Sequence, residues 1–408
     1  MIQKDRETIR GLASRWMELA NLPVMGERAR MWTALKDLHA ERPMVLFETW
    51  TVENYVREDE LFCENEILRR YERSMRQAIR QVEEIGDDYV LEPVFRVLWE
   101  TTAAEYGVGL DFVRAEDNLG GNLGFHYNHP IKTPGDIARL KHNTWKIERA
   151  RTLENAKLLE DAIGDILPVM IQGTDCFLPY LTGDLYKLIG NDNLLTWLYD
   201  APDAIHQAMA FLRDDRLMLY DWLESENMLG LNNNSIIVGS GSPGYISSLP
   251  QPDYAGQVRL KDLWVWSESQ ETTMISPRMF GEFFLPYIAE VARRFGRVYY
   301  GCCDPVHDRW ELIHSQIPHI GAVSISPWCD QRVMGEKLGK EVVYSRKPKP
   351  WLISGDSPDW EGLQKDVDET VQAARDCNLE IIYRDVYRIH EDRPRLKKWA
   401  DLVRSRIS

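Results

Sequence analysis

Apolar residues at Ile9, Leu12, Trp16, Leu19, Met31, Leu35 and Leu38 fall three to four positions apart. This spacing predicts helices over the first forty residues, and Arg42-Pro43 stops the pattern ahead of a strand at Met44-Val45-Leu46-Phe47-Glu48. Helical spacing returns over 58–85. Residues 89–134 are less regular and rich in glycine (Gly107, Gly109, Gly120, Gly121, Gly124), which reads as long loops over the mouth of a fold. Beyond them short β-type runs alternate with helical stretches. Strands are expected at 167–172, 236–238, 260–266, 298–300, 322–325, 342–344 and 380–383, with helices at 137–163, 184–227, 277–295, 310–316, near 335 and at 360–377.

Strands alternating with helices through short loops imply a parallel sheet. This many units closes most easily into an α/β TIM (β/α)8 barrel, so residues 1–408 read as a single domain with an N-terminal helical extension over 1–42. An open doubly wound sheet is disfavoured, because Gly120-Gly121-Asn122-Leu123-Gly124 has neither the spacing nor the strand-to-helix context of a dinucleotide fingerprint. In a barrel the polar residues just past the strand ends share one face. Gln172, Asp175, Glu268, Glu271, Cys302, Asp304, Cys329, Arg384 and Asp385 all occupy such positions.

The 408 residues, 44% of them hydrophobic, can bury a large core. A net charge of −15 spread along the chain would repel phosphate backbones and anionic lipid surfaces, so no nucleic acid partner is expected. There is no long apolar run and no signal-like start, which predicts a soluble cytoplasmic protein without membrane contact. The 14 Trp and 17 Tyr, with Trp328 among those near candidate site residues, suit a flat apolar substrate.

Half of the six cysteines lie in Tyr300-Gly301-Cys302-Cys303-Asp304 and Ser326-Pro327-Trp328-Cys329-Asp330, each just after a predicted strand. Thiols converging from neighbouring strand ends suit a soft-ligand metal site, most plausibly zinc, better than a disulfide. The competing explanation is packing, which is how Cys63, Cys176 and Cys377 are read. Cys302 and Cys303 on a strand would point to opposite faces, and no CxxC or HExxH strengthens the metal case.

A train of landmarks then resembles the uroporphyrinogen decarboxylase superfamily, and within it the corrinoid-dependent methyltransferases of the O-demethylase type. The landmarks are His129-Pro130-Ile131-Lys132-Thr133-Pro134-Gly135-Asp136-Ile137, Gly183-Asp184-Leu185-Tyr186, Asp200-Ala201-Pro202-Asp203, Ile275-Ser276-Pro277-Arg278-Met279-Phe280, Phe284-Leu285-Pro286-Tyr287 and Gly301-Cys302-Cys303. The resemblance spans the chain from about Arg42 to Trp399. It implies a barrel with its site at the strand C-termini and a zinc bound by a His-x-Cys pair and a later cysteine. Cys302 matches that pattern, Tyr300 stands where the histidine would be, and Cys329 comes earlier than the second cysteine usually does. Glu268 is therefore taken with Cys302 and Cys329 as the zinc set, with Glu271 or His307 as substitutes for the missing ligand.

In that branch zinc (Zn2+) would act as a Lewis acid on the departing heteroatom of a small, methoxylated aromatic methyl donor. The acceptor would be the cobalt of a corrinoid (cobalamin) on a separate corrinoid-binding protein, since the chain has no cobalamin-binding Asp-x-His-x-x-Gly segment; a homodimer is compatible with this reading. The other route is protonation of the leaving group, with Glu271, Asp304, Asp385, Asp330 and His390 as candidates. His126, Tyr127, Asn128, Gln172, Asp175, Trp328, Arg384 and His390 are the expected substrate contacts. A cofactor-independent decarboxylase is the runner-up, weakened because Phe47-Glu48-Thr49-Trp50 stands where carboxylate-binding arginines would be. A non-catalytic binding barrel is the third reading.

Overall fold

Short apolar runs with alternating orientation give eight strands, six of them largely buried on both faces and the two at 95–98 and 169–172 partly exposed. They are β1 (Met44–Phe47), β2 (Phe95–Leu98), β3 (Val169–Gln172), β4 (Trp264–Ser267), β5 (Arg297–Tyr300), β6 (Ile320–Ile325), β7 (Val343–Arg346) and β8 (Leu379–Tyr383). The structure, a computed structural model, describes residues 2–114, 124–175 and 177–407. Cys176 and Gly120 to Leu123 therefore lie outside the described residues. Six strands form one parallel sheet in the order β1-β8-β7-β6-β5-β4, and β2 pairs with β3 in a separate parallel ladder.

Residues 228–232 connect the two pieces. Thr174 bridges Leu229 in parallel, with Thr174 N donating to Met228 O at 2.6 Å and Gly230 N to Thr174 O at 2.7 Å. A side chain added at Gly173 would put its Cβ 2.5 Å from the Met228 carbonyl oxygen, so only glycine permits this approach. The Asn232 side chain then replaces a strand backbone beside β4: Nδ2 donates to Asp175 O and Trp264 O, and Oδ1 accepts from Trp264 N at 3.0 Å. Among the described residues no ladder joins β1 to β2.

Alternation along the strands sorts two cores. Val45, Phe47, Val265, Val298, Tyr300, Val323, Tyr344, Ile381 and Tyr383 pack with most of the helices that follow β3. Met44, Leu46, Trp264, Tyr299, Ala322, Val343 and Ile382, on the other face, pack with the N-terminal helices α1 (Gln3–Ala20) and α2 (Pro23–Lys36) and with α3 (Glu66–Arg80).

Several expected elements differ. The strand β2 lies within the stretch read as loops, because four residues after Pro93 are too few to show a period. The helix expected from 137 starts at Arg149 as α4 (Arg149–Ile163). Residues 134–139 form a 3-10 turn capped by Thr133 and Asp136, and 145–147 pair antiparallel with 101–103. The helical stretch 184–227 is two helices, α5 (Leu181–Asp200), interrupted at Gly190, and α6 (Pro202–Ser225). The stretch 277–295 is likewise divided into α7 (Pro277–Phe283) and α8 (Leu285–Ala292), because Pro286 cannot continue the backbone hydrogen bonds of α7.

The second N-terminal helix is tied to the sheet by charge. Lys36, the last residue of α2, puts its Nζ 2.6 Å from Glu380 Oε2 on β8 and also donates to Ser242 Oγ. Both ionic side chains are fully enclosed. Burial pushes the Glu380 carboxyl up, yet the ammonium groups of Lys36 and Lys347 hold it below its ordinary range. Lys36→Met would leave a charge buried without its partner, and urea unfolding should show a loss of roughly 3–5 kcal/mol. The double variant Lys36→Met/Glu380→Leu should recover most of it. A single variant as stable as the wild type would show that this pair does not anchor the helix.

Candidate active site

The loops leaving β4 and β5 carry the densest polar cluster. Glu268 follows β4 directly, and its carboxyl is almost wholly enclosed; Oε2 accepts from Gln270 N at 2.9 Å, while Oε1 has no hydrogen-bond partner. Burial, and then the nearby Glu271 charge, push the Glu268 carboxyl well above its usual range. Glu271 is also raised by burial, although Thr182 Oγ1 donates to its Oε2 at 2.8 Å and opposes the shift. Asp304 is fully buried, which raises it too. Its oxygens are both engaged, Oδ1 by Cys302 N at 3.0 Å and Oδ2 by Ser269 Oγ at 3.2 Å, so it fixes the turn after β5.

That turn brings the strand ends together. Gly301 adopts a φ of 91°, its N–H donates to Ser267 O, and its carbonyl accepts from Trp266 Nε1. Cys302 Sγ lies 3.8 Å from Cys303 Sγ, and the Cys303 thiol reaches Asp385 Oδ2 at 4.0 Å. The Cys303 thiol, then burial, push Cys302 upward, so it stays protonated. Arg384, beyond β8, stacks over Trp266, donates to Ser240 Oγ at 2.7 Å, and sits 3.3 Å from Asp385 Oδ2 and 3.7 Å from Glu48 Oε2.

The expected zinc set is not gathered. Cys329 packs in the core against the backbone of Val306 and His307, with burial pushing its thiol up to about 12, while Cys302 belongs to the cluster with Cys303 and Asp385. Among the described residues no three His, Cys, Asp or Glu side chains are placed to hold a metal ion. The side chains as arranged therefore do not fit zinc, and Glu268 is better described as a desolvated acid.

The remaining expected residues are dispersed. Gln172 Nε2 donates to Asp175 Oδ2 at 2.9 Å past β3, and Asp175 lines a cavity beside β1. His126 and Tyr127 stand on a short hairpin with 112–114, where the ring of His126 meets that of His129 and Tyr127 meets Tyr186; Asn128 O accepts from Lys132 Nζ. Trp328, 62% exposed, stacks on Trp351. His390 spends both ring nitrogens on the backbone of Ser354 and on Asp356, which ties down the closing loop.

Two residues escaped the sequence reading. Glu48 sits at the end of β1, 4% exposed, and burial raises its carboxyl to about 7; neither oxygen has a hydrogen bond, although Thr51 is near. Tyr180 holds a φ of 57° at the entry to α5, with Lys187 Nζ over its ring; burial raises its phenol, followed by Glu271 and Glu268. A bulky residue in the left-handed region is a mark of a constrained site, and it has no signature in the sequence.

No family model and no curated protein matches this chain. A solved structure, a methyltransferase from Methanosarcina mazei, aligns over 92% of this chain and 97% of its own, with 13% sequence identity and a TM-score of 0.48. At this level of likeness the alignment assigns neither a family nor an activity.

Proposed function

We propose that the chain is an enzyme that moves a methyl group from a small aromatic methyl ether to the cobalt of a corrinoid carried by a separate protein, with Glu268 as the acid that protonates the leaving oxygen. The observation that carries this reading is a desolvated carboxyl with one unpartnered oxygen, raised by burial and by Glu271, at the strand ends. The sequence landmarks supply the methyl-transfer chemistry, the acceptor and the barrel, of which the six-stranded sheet and the β2–β3 pair would be two arcs.

An aryl oxide is a poor leaving group unless it gains a proton as the carbon–oxygen bond breaks. Glu268, biased by burial towards its protonated form, can give that proton from Oε1. The methyl group departs without its bonding pair, which stays on the oxygen that becomes the phenol hydroxyl, and the acceptor supplies the new pair. The carboxylate left on Glu268 faces Glu271 in a desolvated pocket, so it recovers a proton readily. Cys302 stays a thiol and shapes the pocket together with Cys303, while Asp304 and Arg384 hold the turns that present it. Uroporphyrinogen decarboxylation fits less well, because Arg384 is already engaged by Ser240, Asp385 and Glu48.

Glu268→Gln should lower kcat roughly 100- to 10,000-fold with little change in melting temperature. For an acid that must be protonated, wild-type kcat is full below the folded-state pKa and falls as pH rises through it. The Gln variant should show no such limb, and Glu271→Gln should move the limb to lower pH by removing a repelling charge. Retention of the alkaline limb in Glu268→Gln would assign the acid elsewhere.

The reaction itself can be read optically, as loss of cobalt(I) absorbance from an added corrinoid protein in the presence of methoxylated aromatics. Turnover is expected with these donors and none with uroporphyrinogen. Conversion of uroporphyrinogen without any corrinoid protein would reverse the assignment.

A further inference from the structure

The seam between β1 and β2 encloses a cavity of about 700 Å³, within the range of small-molecule sites. Its walls are aromatic, with Trp50, Tyr71, Phe95 and Trp99 among them, and α3 lies along one side. Trp50 is 63% exposed at the β1 end, an unusual position for so large an apolar ring. The polar groups are mostly spoken for: Arg70 and Arg96 pair with Glu100 and Glu92, and Glu92 accepts from Ser235 N and Tyr245 OH.

Three lining groups among the described residues are not fully engaged: Arg96 Nε, the Tyr71 hydroxyl and the carboxyl of Glu48 lack hydrogen-bond partners, and of these only Glu48 is a carboxylate acceptor. It lines the cavity, more than nine-tenths buried, and neither of its carboxyl oxygens has a hydrogen bond. Its distance of 3.7 Å from Arg384 Nε offsets its charge without forming a hydrogen bond. A buried acceptor left without a donor is costly to fold, and a ligand hydroxyl in the cavity would satisfy it. Because Arg384 already balances the charge, a neutral donor fits better than a second cation. A carboxylate ligand would be repelled by the Glu48, Glu92 and Glu100 carboxyls that line the cavity. Glu48 also connects the cavity through Arg384 to Asp385 and Cys303, and hence to the polar cluster.

We propose that this cavity seats a phenol-class ring, with the ring hydroxyl hydrogen-bonded to the Glu48 carboxyl and the ring packed against Trp50 and Trp99. The seat deepens the methyl-transfer reading, and the role of its ligand as methyl donor or demethylated product rests on that reading. Binding needs no corrinoid protein, so the two can be tested apart.

Calorimetric titration of the full-length protein with 2-methoxyphenol, with methoxybenzene, which lacks the hydroxyl, and with benzoate is the direct test. 2-Methoxyphenol should bind roughly 10- to 100-fold more tightly than methoxybenzene, and benzoate more weakly still. Glu48→Met should abolish that difference, whereas Trp50→Ala, at an exposed position that leaves the fold intact, should weaken both neutral ligands. Equal affinities for 2-methoxyphenol and methoxybenzene in the wild type, failure of all three probes to bind, or wild-type binding in both variants would overturn the seat. Glu48-dependent binding without methyl transfer would keep the seat and remove the methyl-transfer reading. Methyl transfer from 2-methoxyphenol undiminished in Glu48→Met and Trp50→Ala would keep that reading and remove the seat.

Discussion

The parallel direction of the six-stranded ladder is the constraint on which everything else in this molecule rests. Strands that run the same way deliver all their C-terminal residues to one edge, whatever their separation in the chain. That is how Glu48, Glu268, Cys302 and Arg384 become neighbours. Backbone bonds extend this order past the strands themselves: Glu48 N donates to Tyr383 O, Gly301 N to Ser267 O and Lys347 N to Ile325 O. The loops that carry the chemistry are thus held by the same kind of bond as the sheet.

Desolvation gives those neighbours different characters. Glu380 has two ammonium groups nearby and is held below its ordinary range deep in the fold, while burial lowers both lysines, Lys347 to about 7. Glu48 has the Arg384 guanidinium beside it and titrates near neutrality. Glu268 has carboxyl and thiol groups and no cation among its principal influences, and the single hydrogen bond from Gln270 N only partly offsets the penalty of charging it. One type of side chain therefore serves as a structural anion, a titrating acceptor and an acid biased towards its protonated form within a single sheet.

Strand ends were the legible part of the sequence. Alternation and turn residues placed β1 and β3 to β8 within a few positions, and so grouped Glu268, Glu271, Cys302, Asp304, Arg384 and Asp385. The short strand β2 left no periodic trace. Cys329 was misjudged because strand order says nothing about the turn that follows: its N–H bonds back to Ser326 O, and the thiol swings into the core. Glu48 read only as the end of the first strand, since its neighbour Arg384 is remote in sequence. Tyr180 depends on a backbone angle that composition does not encode.

The pairing of β1 with β8 also has a consequence in time. Met44 registers with Glu380 and Phe47 with Tyr383, so the first strand of the sheet finds its hydrogen-bonding partner only after more than 300 further residues exist. At a synthesis rate of ~5–20 residues per second that interval is on the order of 20–70 s. Throughout it the run Met44-Val45-Leu46-Phe47 is an unpaired apolar edge. On the ribosome α1 and α2 can pack against that strand long before β8 arrives, and they would act as its nascent-chain shield.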